Sequence, residues 1–406
     1  MVCVFIFAGV IYINTLIISK PIVASLGLSL LFFSPGLTLV FPVPGIVAAS
    51  AFISLFIGIY VQGGRVLKKG ALVFLLLFFV YFLITPLVFN VDHKTYIDYF
   101  STFIIYGVCG FIYSSIDFDH KFLYRLAVLF SLVISPVVYL VVFYNFTPSY
   151  ITDTFGYYMR ISHIVSMYLF ILFYNSLHDD SKIIRVVSFC LASVFFIFMI
   201  TFGARSFLLA FVLFFIFFAI KKYKSFNFKF VFIVLVFMFV LYSELYSIMI
   251  WFNSLLSDYN VESRSLIRII YAYENNEDLS SGRYRIWGEG FEGFLNSPII
   301  GNGIASFESK YNYYVHNFIL QLLYEGGLIL AVPVICVLVK FGLVLFDKNI
   351  SAVDWFFILM IFFGGVFYLF FSSVIWSGVY IWFFIGWVIN YKTGYSSMTK
   401  NLTASV

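Results

Sequence analysis

The sequence predicts an all-α integral membrane protein, a polytopic bundle of about 12 transmembrane helices with one large external loop. Three observations predict it. Of 406 residues, 63% are hydrophobic and only 11% charged, and the mean hydropathy is +1.04, outside the range of soluble domains. Apolar runs recur along nearly the whole chain, each long enough to cross a hydrocarbon core of roughly 30 Å as a helix. None of them alternates with the period of two that a β-barrel needs, so helices are left as the way to satisfy the backbone in lipid.

The first run, 1–18, lacks a basic leading region and a small-residue cleavage site, and is read as a span rather than a removable signal. Pro21, Pro35, Pro42 and Pro44 punctuate the first 62 residues, which hold either two spans or three. Hydrophilic breaks follow at 63–70, 90–98, 115–125, 145–162, 178–185, 203–206, 221–229, 253–313 and 346–351, before a polar tail from Tyr391. Basic residues decide the sides. Arg65, Lys68 and Lys69, then Lys121 and Arg125, Lys182 and Arg185, and Lys221, Lys222, Lys224 and Lys229 fall in alternate short loops, which are therefore cytoplasmic. The segments between them, including 145–162, the turn at Gly203 and the long stretch 253–313, face the opposite side. No repeat or low-complexity linker divides the chain, so 1–406 reads as one polytopic domain, with the loop 253–313 inserted before the helix that starts near His316.

That loop carries two stretches amphipathic at helical spacing, "SRSLIRIIYAY" and "GRYRIWGEGFEGFL", joined to the His316 helix by the turn-rich "NSPIIGNGIASF". Both are expected to lie against the membrane surface as an ordered cap. Elsewhere the sequence excludes more than it offers. Cys3, Cys109, Cys190 and Cys336 all fall in apolar runs, which argues against a disulfide framework. A net charge of +5 is too small and dispersed for a nucleic-acid partner. There is no phosphate loop, no His-Glu-x-x-His and no Gly-x-Ser-x-Gly, and the histidines stand apart from one another, so neither a metal nor a cofactor is expected.

What remains is a collection of external cations and one histidine. Arg205, in "TFGARSF", stands where two apolar runs meet almost without a loop, at a depth where an unpaired arginine is costly. It reads either as a snorkelling anchor or as an anion clamp. Arg283 and Arg285, in "SSGRYRIW", open an expected loop helix, whose free N–H groups also favour an anion. Guanidinium forks match phosphate oxygens bidentately. Solvated surface charge is the plainer reading for each. Arg160 is a further external cation. His316 lies at the outer end of an apolar helix, and an imidazole there suits the removal of a hydroxyl proton at neutral pH, although a structural histidine is the plainer alternative. Gln321 and Glu325 follow on the same helix, which puts Glu325 more than two turns below His316 and facing the bundle interior.

These motifs carry a resemblance. Gly282, Arg283 and Trp287, then Asn296, Pro298, Gly301 and Gly303, then His316, Asn317, Glu325 and Gly327 resemble the shared C-terminal pattern of bacterial O-antigen polymerases and O-antigen ligases. Arg205 fits the family's arginine at an external turn. The resemblance implies a metal-independent glycosyltransferase of the inner membrane with its site facing the periplasm. An oligosaccharide on undecaprenyl diphosphate would be the donor, and a second such unit (polymerase) or a lipid A core sugar (ligase) the acceptor. It implies His316, Arg283 and Arg205 as catalytic residues and Arg285, Arg160, Asn317, Trp287 and Glu325 as substrate-binding ones. A chain-length regulator protein is the implied protein partner. Richness in Phe and Tyr leans toward a polymerase. A transporter or flippase is the alternative from another class, for which charges spread over several spans would be expected rather than a cluster at one face.

Overall fold

The computed structural model describes residues 19–40, 45–63, 67–144, 154–201, 205–223, 245–258, 263–275, 277 and 282–392, and for Arg160 and Arg205 the backbone alone. Every regular element among them is helical. In chain order they are α1 (Lys20–Val40), α2 (Ile46–Gln62), α3 (Lys69–Val88), α4 (His93–Tyr113), α5 (His120–Tyr144), α6 (Thr154–His178), α7 (Lys182–Thr201) and α8 (Arg205–Tyr223). Then come α9 (Leu245–Asp258), α10 (Arg264–Glu274), α11 (Arg283–Asn296), α12 (Ser306–Tyr311), α13 (Phe318–Leu345), α14 (Ala352–Phe370) and α15 (Val379–Asn390). Seven of these are long and apolar enough to cross a membrane, and four apolar helices are shorter. The protein is a polytopic helical membrane protein. The expected span at 1–18, and residues 230–244 of the one between the breaks at 221–229 and 253–313, lie outside the described residues.

The chain forms two compact units, 1–127 with 284–406, and 128–283. In the first unit, α3 shows how a span sorts its faces without polar residues. Ala71, Phe74, Phe78, Tyr81, Phe82 and Thr85 recur at helical spacing and are buried, whereas Val73, Leu76, Val80, Leu83 and Leu87 are exposed on the other face, where lipid receives them. The buried face meets an aromatic core. Phe78, Phe82 and Phe103 pack edge-on against Trp376 and Trp382 at centroid distances of 4.9 to 6.3 Å. Helix α4 passes this core through a π-helical stretch, Phe103–Val108. Gly110 allows α4 to touch the backbone of α15, since a Cβ there would lie 2.7 Å from the amide nitrogen of Phe383.

The two ends of this unit gather different loops. At one end, the backbone N–H of Asp92 donates to Ser309 Oγ at 2.8 Å, bringing 90–98 to the 297–317 segment. At the other, Lys68, Ser115, Asp117, Asp354 and Tyr391 line one cavity. This grouping follows the alternation read from the basic residues.

In the second unit, α6 is the central element. Phe170 packs at a tilt against Phe207, Phe211 and Phe214 of α8, and Tyr168 edge-on against Phe195 of α7. Helix α7 ends at Thr201 and α8 begins at Arg205, and the expected turn at Gly203 lies outside the described residues. Two boundaries differ. Helix α9 runs on to Asp258, past the expected break at Asn253, and Arg160, expected in a loop, lies inside α6. In both cases the helix extends beyond the apolar run, because termini gain backbone hydrogen bonds whatever the polarity of the side chains.

Candidate functional site

The 297–317 segment and α13 are built as one piece around a broken helix. At Gly327 the backbone of α13 leaves helical geometry, with φ 56 and ψ −152. A regular helix would join the N–H groups of Leu328 and Ile329 to the carbonyls of Tyr324 and Glu325. Here Leu328 donates instead to the Pro298 carbonyl at 2.9 Å, and Ile329 to the Ile299 carbonyl at 3.2 Å. The carbonyls so released accept from Asn302 N–H at 2.9 Å and Gly303 N–H at 2.8 Å. The loop thus replaces the missing turn of helix bond for bond, which is what a break at membrane depth requires. Glycine at 301 and 327 is dictated by contact as well as by positive φ: a Cβ on either would strike the backbone of the opposite segment.

Glu325 closes this construction from within. Its side chain is 1% exposed. Oε1 accepts from Ala305 N–H and from Gln321 Nε2, both at 3.2 Å, and Oε2 accepts from the Trp376 indole at 2.8 Å. Gln321 in turn accepts from Ile375 N–H at 3.2 Å. Tyr81 of α3 donates to the Glu325 carbonyl at 2.8 Å and also reaches the Ile300 carbonyl. The carboxylate expected to bind substrate therefore spends its acceptors on three protein donors, tying the loop, α13 and the Trp376 segment together.

Helix α11 lies over this scaffold. Ile286, Gly290 and Gly293 form the face it turns inward, and a Cβ at Gly293 would enter the ring of Tyr324. Ile286, Phe307, Val315 and Tyr324 make a small core, with Trp287, Tyr311, Tyr313 and Leu320 against it. Trp287 keeps its indole N–H buried with no acceptor among the described residues. Arg285 stands 5.8 Å from the centroid of the Tyr313 ring and 3.9 Å from Glu289. Tyr313 donates to Glu289 at 2.5 Å, and that hydrogen bond to a carboxylate raises the phenol above its ordinary pKa.

His316 sits just before α13 at φ 58, a left-handed conformation for a residue with a Cβ. Ala305 and Asn312, at φ 67 and 62, bracket α12 in the same segment. Three such residues in the twelve positions 305–316 mark a loop held by its surroundings rather than by local preference. The His316 ring packs 4.0 Å from that of Tyr314. Asn317 is the N-cap of α13, accepting from Leu320 N–H at 3.0 Å. Behind them Tyr99 of α4 donates to Glu308.

The structure brings Arg285, Trp287, His316, Asn317 and Glu325 into the first unit. Arg160, Arg205 and Arg283 belong to the second. There, Ser263 caps α10 and its hydroxyl donates to the Thr201 carbonyl, which puts the N-terminus of the arginine-bearing α10 beside the C-terminal end of α7.

Residues 187–335 match the family model described as O-antigen ligase. The stretch, 149 of the 406 residues, is similar to that family. The matched stretch spans every candidate named above except Arg160, and it includes both the broken helix and the loop that mends it. No curated protein matches the chain. Sequence reading singled out Glu325, Gly301 and Gly327 through the resemblance, but not Tyr81, Trp376 or Tyr99, which share the network with them. These aromatic residues sit in apolar runs and carry no local pattern that would distinguish them from core.

Proposed function

We propose that the protein is an O-antigen polymerase, joining oligosaccharide units carried on undecaprenyl diphosphate at the periplasmic face of the inner membrane. The family match, which takes in Arg205, Arg283 and His316 together, supports the transfer chemistry that polymerase and ligase share, and richness in Phe, Tyr and Ile leans toward the polymerase. In the proposed step, the acceptor hydroxyl oxygen bonds to the anomeric carbon of the donor while the bond from that carbon to the diphosphate breaks. His316 takes the hydroxyl proton. The departing lipid diphosphate gains charge, which the guanidinium groups of Arg205 and Arg283 offset. Arg285, Trp287 and Asn317 bind the glycan, the buried indole N–H of Trp287 being a donor in want of an acceptor. Glu325 acts through the loop that it holds. The donor is already activated, so the step requires no nucleotide and no metal.

Similarity to the O-antigen ligase family favours a second reading, transfer of the glycan to lipid A core. Deletion of the gene followed by gel analysis of lipopolysaccharide separates the two. Core carrying a single unit supports the polymerase; bare core with lipid-linked polymer accumulating supports the ligase. Unchanged banding would refute both.

A further inference from the structure

Helix α3 is twenty residues long, which is about 30 Å and so the thickness of a hydrocarbon core. Its two ends therefore mark the two edges of the membrane. Tyr81 stands seven residues inside the Val88 end, about 10 Å below that edge, and its hydroxyl reaches the Ile300 carbonyl. Helix α13 gives the same depth. Glu325, whose carbonyl accepts from the Tyr81 hydroxyl at 2.8 Å, is seven residues in from Phe318. The turn 297–301 thus lies at the depth of the spans, not above them.

Helix α11 reaches that depth by descending beside α13. A Cβ at Gly290 would lie 3.0 Å from Leu320, one at Gly293 would strike Tyr324, and the Pro298 carbonyl accepts from Leu328 at 2.9 Å, so the two segments advance inward together. The turn that follows is equipped for hydrocarbon. The Ser297 carbonyl accepts from Gly301 N–H at 2.9 Å, and the Gly301 carbonyl from Ser297 Oγ at 2.7 Å. Those of Pro298, Ile299 and Ile300 meet Leu328, Ile329 and Tyr81. Each carbonyl from 297 to 301 therefore has a donor within the protein, and Pro298 brings no N–H. Such bonding is what backbone outside a helix needs at membrane depth.

The side chains of this turn are nevertheless uncovered. Ile299 is 64% exposed, and Leu328 and Ile329 beside it are exposed too. The surface continues up α11, where Tyr284, Gly288, Phe291 and Leu295 recur at helical spacing on one exposed face. Arg285, Glu292 and Asn296 are exposed on the adjoining face, which Glu289 ties to Tyr313. A carboxylate as deep as Glu292 is costly against lipid, so that face needs water. We propose that α11 and the 297–301 turn form a re-entrant segment in the leaflet nearer the candidate site, with lipid chains against Phe291, Leu295 and Ile299 and water against Glu292 and Asn296. Helix α11 then stands as a wall between hydrocarbon and an aqueous cleft. This does not depend on the polymerase reading.

The test is made on the full chain in phosphatidylcholine nanodiscs, with the native cysteines replaced by alanine. A nitroxide is attached at Phe291→Cys, Glu292→Cys, Leu295→Cys, Asn296→Cys or Ile299→Cys, all exposed positions. Its collisions with oxygen, which concentrates in hydrocarbon, are compared with those with a polar nickel chelate, which stays in water. Leu328→Cys and Lys310→Cys set the lipid and water ends of the scale. The oxygen-to-nickel ratio rises from 291 through 295 to 299, and at 299 exceeds that at 292 and 296 by more than about tenfold, because hydrocarbon excludes the chelate. Ile300→Cys replaces Ile299→Cys if that variant fails to insert. Equal ratios at 291, 295 and 299, as for a helix lying flat on the membrane, overturn the proposal. So do water-like ratios at all three, or a lipid-like ratio at 292 and 296.

Discussion

Replacing Gly327 by alanine tests whether the break in α13 is held by the loop or merely tolerated. Alanine at φ 56 and ψ −152 is strained by about 1 to 3 kcal/mol, and its Cβ would press on the Ile299 carbonyl and the Gly301 amide, backbone groups with no soft side chain to yield. If the helix closes instead, Leu328 and Ile329 regain two regular bonds, but Pro298, Ile299, Asn302 and Gly303 lose the four made across the break. At about 0.5 to 1.5 kcal/mol for each net bond lost, this exceeds the gain of about 1 kcal/mol from alanine's helix propensity. Closure also withdraws Ala305 N–H from Glu325 and Ile300 from Tyr81. The expected loss is about 3 kcal/mol by either route. Thermal unfolding in nanodiscs, followed by tryptophan fluorescence, reads it as a fall of several degrees, accompanied by loss of transfer. Gly342→Ala, on the same helix with open space around it, is the control and leaves the melting point unchanged or slightly raised. Wild-type melting and transfer in Gly327→Ala would refute the reasoning.

The glycine face of α11 gives a paired test: Gly293→Ala, which meets the Tyr324 ring, costs about 1 to 3 kcal/mol, whereas Gly288→Ala, with nothing within 4 Å, does not destabilise. Glu325→Gln turns an N–H toward one of three donors and lowers stability by about 1 to 3 kcal/mol; Trp376→Phe, which leaves Oε2 without its 2.8 Å partner, does the same, and both show in the same melting assay. His316→Gly suits a positive φ, so it should unfold no earlier than wild type while abolishing transfer, a combination that a structural histidine would not give. Arg283→Ala should also abolish polysaccharide banding with insertion intact, and Lys222→Ala should leave it unchanged.

The fold class was legible because it rests on a sum over many residues. Apolar runs at span length need no knowledge of what packs against what, and the alternation of basic loops sorted the ends of α3 as the structure does. Within the candidate site, Asn317 and Glu325 were visible as motif members, but their work was not. An asparagine before a helix reads equally as a cap or a ligand, and a buried carboxylate shows its purpose only through its donors, which here come from residues 305, 321 and 376.

What the sequence determined by itself is a helical membrane chain with cations and a histidine concentrated in one late segment, because hydrophobicity, charge and residue order are local properties. What only the tertiary structure decided is that α13 is broken at Gly327 and completed by the backbone of the preceding loop. Main-chain hydrogen bonds between distant segments leave no trace in side-chain pattern beyond the glycines that make room for them.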